Sequence, residues 1–256
     1  MDIQKFLKSL HWSLDDLELN LSIDCAIFTI QDNQLKVLLT KLYPDADWML
    51  PGGFIFKNEE ADHAATRILF QRTGLKNIYL EQFKIFSNPS RFSFQKLFDE
   101  IPFVENDPVD SSPFPERVIS IGYFALLDYE SIRVTGGELD EESMWAEIHN
   151  IPKLKFDHRQ IVVDALDALR NELYLKPIAY NLLPEKFTMP ELQRLYEIIL
   201  DKPLERSSFQ KKMLKWDIYE RLEERRQGVA HKRPYLYRFD HVKFAEGLKQ
   251  GIRFGL

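Results

Sequence analysis

The run from Gly52 to Leu75, GGFIFKNEEADHAATRILFQRTGL, limits the possible folds more than any other segment. Trp48-Met-Leu-Pro51 reads as a short strand entering a turn at Gly52-Gly53. Ala61, Ala64, Ala65 and Ile68 recur at helical spacing and predict a helix over Glu59–Arg72. Upstream, Leu21–Ile30 and Leu35–Leu42 are β-rich runs parted by QDNQ, a hairpin connection with turn-favouring Asp and Asn. Further strands are expected over 77–86, 117–127 and 144–149. A second helix is expected over 158–174, where Ile161, Ala165, Leu166 and Leu169 supply a buried stripe. Strands with interspersed helices predict a mixed α/β body over residues 21–175, after an N-terminal extension of residues 1–20. Inside the body, residues 92–114 form a long Pro-, Asp- and Phe-rich connection, read as either a surface loop or an ordered flap.

The charge of the chain is divided. Residues 176–256 hold 17 Lys+Arg against 11 Asp+Glu, a balance of +6, and residues 1–175 hold 17 against 29, a balance of −12. An acidic body joined to a basic segment predicts different partners for the two, with a polyanion for the basic one. The single cysteine, Cys25, excludes an internal disulfide and a thiolate metal site and suits a reducing cytoplasm. The longest clean apolar run, Ile119–Leu127, is too short to span a bilayer, so no membrane is expected as a partner.

The basic segment has its own pattern. Thr188-Met-Pro-Glu191 is a capping box with Pro in the first turn, and Leu192, Leu195, Tyr196 and Ile199 give its helix a buried stripe. After the turn Asp201–Leu204, a second helix over 205–217 buries Phe209, Met213 and Trp216. Its opposite face carries Ser208, Lys211, Lys212 and Lys215 at i, i+3, i+4 and i+7. Two short strands, Ile218–Leu222 and Tyr235–Phe239, enclose a basic loop. Helix, turn, basic helix and basic hairpin predict a small winged helix-turn-helix domain over 176–256, with the second helix in the major groove of double-stranded DNA. Its DNA-binding candidates are Arg206, Ser207, Ser208, Gln210, Lys211, Lys212 and Lys215 on the helix. The loop adds Arg225, Arg226, Lys232 and Arg233.

The Gly52–Leu75 run resembles the Nudix box, G-x5-E-x7-R-E-U-x-E-E-x-G-U with U aliphatic. Gly53, Glu59, Arg67, Leu69, Gly74 and Leu75 fall on its positions. The resemblance implies a Nudix fold, a mixed sheet between helices. It also implies that three helix glutamates should bind divalent metals, but here their positions hold Ile68, Gln71 and Arg72. Without metal, no Lewis acid or activated hydroxide is available. The expectation is a non-enzyme that keeps the scaffold for binding, with no catalytic residue, metal or cofactor. Glu59 and Arg67 remain to brace loop against helix, as the resemblance implies. The alternative is a metal-dependent Nudix hydrolase of substrates such as ADP-ribose, its carboxylates recruited from Glu116 or residues 99–110.

Phe156-Asp-His158, PERVISIGYFALL (115–127), the linker 177–199 and KRPYLYRF (232–239) extend the likeness to the Nudix-related transcriptional regulators. Members of that family are bacterial repressors or activators, usually dimers, whose Nudix domain senses a small molecule. The resemblance implies a homodimer on an operator of inverted half-sites. Its effector would be a pentose such as L-arabinose or xylose, which complete loss of the acidic box favours, or ADP-ribose. Asp24, Lys41, Trp48, Arg91, Glu116, Arg117 and His158 are the effector-binding candidates, by position at strand ends around the box. His158 is equally suited to cap its helix and Trp48 to join the core.

Overall fold

The computed structural model describes residues 14–41, 46–76, 78–94, 115–129, 142–227, 233–252 and 254. Eight strands and five α-helices appear among them. Strands β1 (Leu17–Gln31), β2 (Gln34–Lys41), β3 (Gly52–Phe56), β4 (Glu81–Phe86), β5 (Ile119–Asp128) and β6 (Glu142–Glu147) form one sheet. Its order is β4-β5-β1-β2-β6, with β3 antiparallel to β1. The β1–β2 turn takes Asp32 and Asn33 at φ of 55° and 59°, a left-handed pair that Asp and Asn tolerate and hairpin turns require.

Helix α1 (Ala61–Thr73) lies against β3 and buries Ala64, Ala65, Ile68 and Leu69. It stops where Gly74, at φ 75°, returns its amide to the Phe70 carbonyl. Helix α2 (His158–Leu173) buries Ile161, Val162, Ala165, Leu166 and Leu169. The strand expected from Trp48 begins later: Trp48 and Met49 make only isolated bridges, and Gly52-Gly53, expected as a turn, opens β3 beyond Pro51, which has no N–H to donate.

Helices α3 (Met189–Leu200) and α4 (Arg206–Lys215) follow, then the antiparallel pair β7 (Tyr219–Arg225) and β8 (Tyr235–Phe239), and α5 (His241–Lys249). By contacts the chain divides into two compact units. One is Met1–Phe28, Lys36–Ala125 and Ile132–Ala165; the other is Thr29–Leu35, Leu126–Ser131 and Leu166–Leu256. Among the described residues no helix is long and apolar enough to cross a membrane. The 1–20 extension, the 92–114 connection and the hairpin loop lie largely outside the described residues, as does Lys232.

Candidate functional site

The segment before α1 is held by one ion pair. Arg67 on α1 donates from Nε and Nη2 to the two Glu59 oxygens at 2.8 and 2.6 Å, and from Nη2 to the Phe54 carbonyl at 3.0 Å. Its guanidinium also lies over the Phe56 ring, 4.1 Å from the centroid. Burial opposes ionisation of Glu59. Hydrogen bonds from Arg67 and the Phe56 amide outweigh that and hold its carboxyl below the usual range.

The three remaining box positions are occupied by side chains with other tasks. Ile68 is buried against Gly53, where even a Cβ would come within 3.3 Å of its side chain. Gln71 accepts from Arg67 Nη1 at 2.9 Å. Arg72 donates from Nε to the Gly52 carbonyl at 2.8 Å. A hydrocarbon, an amide and a cation do not make a divalent-metal site, since Mg²⁺ and Ca²⁺ require several oxygen ligands with anionic charge. Among the described residues no group of three or more His, Cys, Asp or Glu is placed to hold a metal ion.

Directly behind Gly52 lies a buried polar network. Asp24 on β1 is paired in register with Gly52, and a Cβ there would sit 2.6 Å from Asp24 Oδ1. Arg91 donates to Asp24 Oδ2 at 3.1 Å and grips both Asp157 oxygens at 2.9 Å. Ser120 Oγ donates to Asp24 Oδ2 at 2.5 Å. His158 accepts the Leu50 amide on Nδ1 at 2.9 Å and turns Nε2 toward Asp24 Oδ1, 3.5 Å away. Burial pushes the His158 pKa down, against the pull of Asp24 and Asp157, which favours the neutral ring that this geometry needs. Phe54, Phe94, Phe92 and Phe156 make a chain of ring contacts ending at His158.

Of the seven effector candidates the structure therefore gathers Asp24, Arg91 and His158, but as buried groups that face one another. Ser120 and Asp157 complete the set and were absent from the sequence expectation. Lys41 lies 4.7 Å over the Trp48 ring and 3.3 Å from Glu142. Glu116 and Arg117 are exposed ahead of β5, with Arg117 donating to the Ser87 carbonyl at 2.6 Å.

In the C-terminal unit Thr188 and Glu191 close the capping box on α3, which ends at Asp201 with φ 54°. Glu205 caps α4 by accepting the Ser207 and Ser208 amides, and those hydrogen bonds lower its pKa to about 2. Phe209 and Met213 are buried, which leaves Arg206, Ser207, Ser208, Lys211, Lys212 and Lys215 exposed and Gln210 half-buried. A bridge between Phe187 and Tyr237 fixes the residue before the α3 cap to the hairpin. Arg233 is exposed, and Arg225 stacks on Tyr235 at 4.0 Å. Arg226 departs from expectation. It is half-buried and donates from Nη2 to both Glu191 oxygens, at 2.6 Å to Oε2, so it locks the hairpin to α3 rather than facing outward.

Residues 21–165 match the NUDIX domain family, and residues 179–239 match the NrtR DNA-binding winged helix domain. The ADPR responsive transcriptional repressor NtrR of Acinetobacter baylyi is 31% identical over 227 residues, 86% of this chain and 81% of that protein. The chain belongs to the NrtR family of Nudix regulators. It is a ligand-responsive, DNA-binding transcriptional regulator whose sensor is a Nudix domain. The crystal structure of Shewanella oneidensis NrtR complexed with a 27mer DNA superposes with a TM-score of 0.65 at 26% identity, covering 88% of this chain and 95% of that one. The ADP-ribose pyrophosphatase of Methanocaldococcus jannaschii is 27% identical over 135 residues, 52% of this chain and 66% of the relative.

Proposed function

We propose that this NrtR-family protein is an ADP-ribose-responsive regulator whose residues 21–175 bind the effector without hydrolysing it and whose residues 176–256 bind the operator. The observation that carries the reading is the side-chain replacement at the box. Ile68 packs on Gly53, Arg72 binds the Gly52 carbonyl and Gln71 accepts from Arg67, so the scaffold persists where the three box positions offer no carboxylate. A pentose was the favoured effector on the box alone. Support now lies with ADP-ribose, because the Acinetobacter baylyi relative is named as an ADPR responsive repressor. Loss of the carboxylates removes metal but does not by itself reject a diphosphate.

Operator binding is assigned to Arg206, Ser207, Ser208, Gln210, Lys211, Lys212 and Lys215, with Arg225, Lys232 and Arg233 on the hairpin. Support comes from the outward basic face of α4 and from the Shewanella oneidensis NrtR structure, which is complexed with DNA. We take the protein to act as a homodimer, whose two-fold symmetry would call for inverted half-sites in the operator, and DNA as partner suits a cytoplasmic place of action.

The test is a melting-temperature series of the full chain with ADP-ribose, L-arabinose and D-xylose, alongside a product assay on ADP-ribose with Mg²⁺. A ligand that binds only the folded state raises the melting temperature. ADP-ribose alone should raise it, and should be recovered intact. A rise with a pentose only, or turnover of ADP-ribose, overturns the reading.

A further inference from the structure

We propose that Arg221, Tyr235 and Arg225 form a seat for a DNA backbone phosphate on the β7–β8 hairpin, with the two arginines as donors and the tyrosine ring as their platform. The inference rests on the operator-binding reading above and deepens it. It adds Arg221 and Tyr235 to the DNA surface and assigns this part of the hairpin to phosphate rather than to base edges.

Strand β7 runs Glu220-Arg-Leu-Glu-Glu-Arg225, an order in which acids outnumber bases and no basic patch is legible. The structure sorts these charges. Glu220 accepts from Arg238 at 2.7 Å, Glu224 accepts from Lys186 at 2.8 Å, and Glu191 is taken by Arg226. Glu223 stays exposed and makes no ion pair among the described residues. Arg221 and Arg225 are also exposed, and neither meets a carboxylate among the described residues. Both turn to the same ring instead. The guanidinium carbon of Arg221 lies 4.7 Å from the Tyr235 centroid, and that of Arg225 lies 4.0 Å from it.

The hairpin ladder explains how two arginines reach one tyrosine. Arg221 stands opposite Tyr237, and an unbroken ladder would set Arg225 against Arg233. A register shift between Arg221 and Arg225 sets Arg225 against Tyr235 instead. Arg225 is then held by Nη2 on the Tyr235 hydroxyl at 2.5 Å and by Nη1 on the Arg233 carbonyl at 3.3 Å. Arg221 makes no hydrogen bond among the described residues and keeps the five donors of its guanidinium.

Two cations on one ring are each drawn to its face but repel one another. An anion that accepts from both removes that repulsion, and the planar guanidinium fork matches phosphate oxygens. Stacking on Tyr235 orders both side chains beforehand, which lowers the entropic cost of binding. Both arginines lie on the strand and are drawn back onto the ring, whereas a side chain that reads base edges must extend into a groove. All three residues fall within 179–239, the part that matches the NrtR DNA-binding winged helix domain.

The experiment is fluorescence anisotropy of the full-length protein across a salt series with two short duplexes. One is selected by the unaltered protein from a random-sequence pool, and the other is its scrambled counterpart. Arg221→Gln should lower the slope of log affinity against log salt by about one and weaken both duplexes alike, by about tenfold. Tyr235→Leu keeps the charge and removes the platform, so both duplexes should weaken with the slope retained, and Tyr235→Phe should restore most of the affinity. Unchanged slope and affinity in Arg221→Gln overturn the inference and leave α4 as the operator-binding element. Weakening confined to the selected duplex also overturns it, because that marks a base contact. Equal losses in Tyr235→Leu and Tyr235→Phe overturn the platform role. Failure of the unaltered protein to select or bind any duplex overturns the operator reading and this inference with it. Arg221 is exposed, so Arg221→Gln decides even if a substitution at Tyr235 prevents folding.

Discussion

Replacing Arg91 with Ala tests whether the network behind Gly52 holds the Nudix domain together. Arg91 is 7% exposed and makes three hydrogen bonds, two to Asp157 and one to Asp24, which is 5% exposed. Truncation affects these two acids differently. Asp157 keeps a quarter of its side chain in solvent and can rehydrate. Asp24 retains only the Ser120 hydroxyl and the weakly placed His158, so a buried carboxylate loses its cationic partner. Breaking a buried pair from one side costs about 3–5 kcal/mol. For a domain of this size that corresponds to a fall of roughly 10 °C in melting temperature, read by calorimetry. Adding Asp24→Asn removes the stranded charge, so the double variant should recover about 1–3 kcal/mol relative to additivity of the two singles. A loss below about 1 kcal/mol for Arg91→Ala, or strict additivity in the cycle, would refute the assignment of these groups to scaffold.

Other variants separate roles that composition alone would merge. Lys211→Ala with Lys212→Ala should lower the salt slope of operator binding by about two, whereas Arg226→Ala should leave the slope unchanged and cost about 1 kcal/mol of stability through its lost Glu191 pair. Melting between about pH 8 and about pH 5 reports on His158, whose native pKa lies below its unfolded value near 6.5. As pH falls through that unfolded value, the unfolded chain gains a proton that the native chain refuses. Stability therefore drops on the acid side, and His158→Gln should flatten that drop. Gly52→Ala places a methyl group against Asp24 Oδ1 and the Ile23 carbonyl and should lower the melting temperature with no change in net charge.

What could be read without coordinates followed from local chemistry. The Asp32-Asn33 turn and the Thr188–Glu191 capping box each involve residues a few positions apart, and each appears where expected. Strand β8 matches its expected limits because Tyr235–Phe239 is a run of aromatic and apolar residues, with Leu236, Tyr237 and Phe239 buried and Arg238 exposed. Its partner β7 runs to Arg225, three residues beyond expectation, since Glu220, Arg221, Glu223 and Glu224 give an exposed strand no apolar signature. Helix α5 was not anticipated. Its local cue is Asp240, which accepts the Val242 and Lys243 amides.

Long-range pairing was the illegible part. Arg91 meets Asp24 across 67 residues and Asp157 across 66, so two groups read as pocket residues, Arg91 and Asp24, become each other's partners with Asp157 as a third. Arg226 finds Glu191 across 35 residues and leaves the basic surface for the same reason. The replacements at Ile68, Gln71 and Arg72 were visible at once, but their meaning needed coordinates. The coordinates show Arg72 hydrogen-bonded to the Gly52 carbonyl, Gln71 to Arg67, and Ile68 packed on Gly53.

The most direct test of a Nudix sensor coupled to a winged helix is operator affinity measured by fluorescence anisotropy while ADP-ribose is titrated. Coupling between two sites must appear as a ligand-dependent change in DNA affinity, and DNA must change ligand affinity by the same factor. The account predicts a shift of about fivefold or more with ADP-ribose, in EDTA as well as in Mg²⁺, and none with L-arabinose or D-xylose. An operator affinity that ADP-ribose leaves unchanged, or that only a pentose moves, would contradict it.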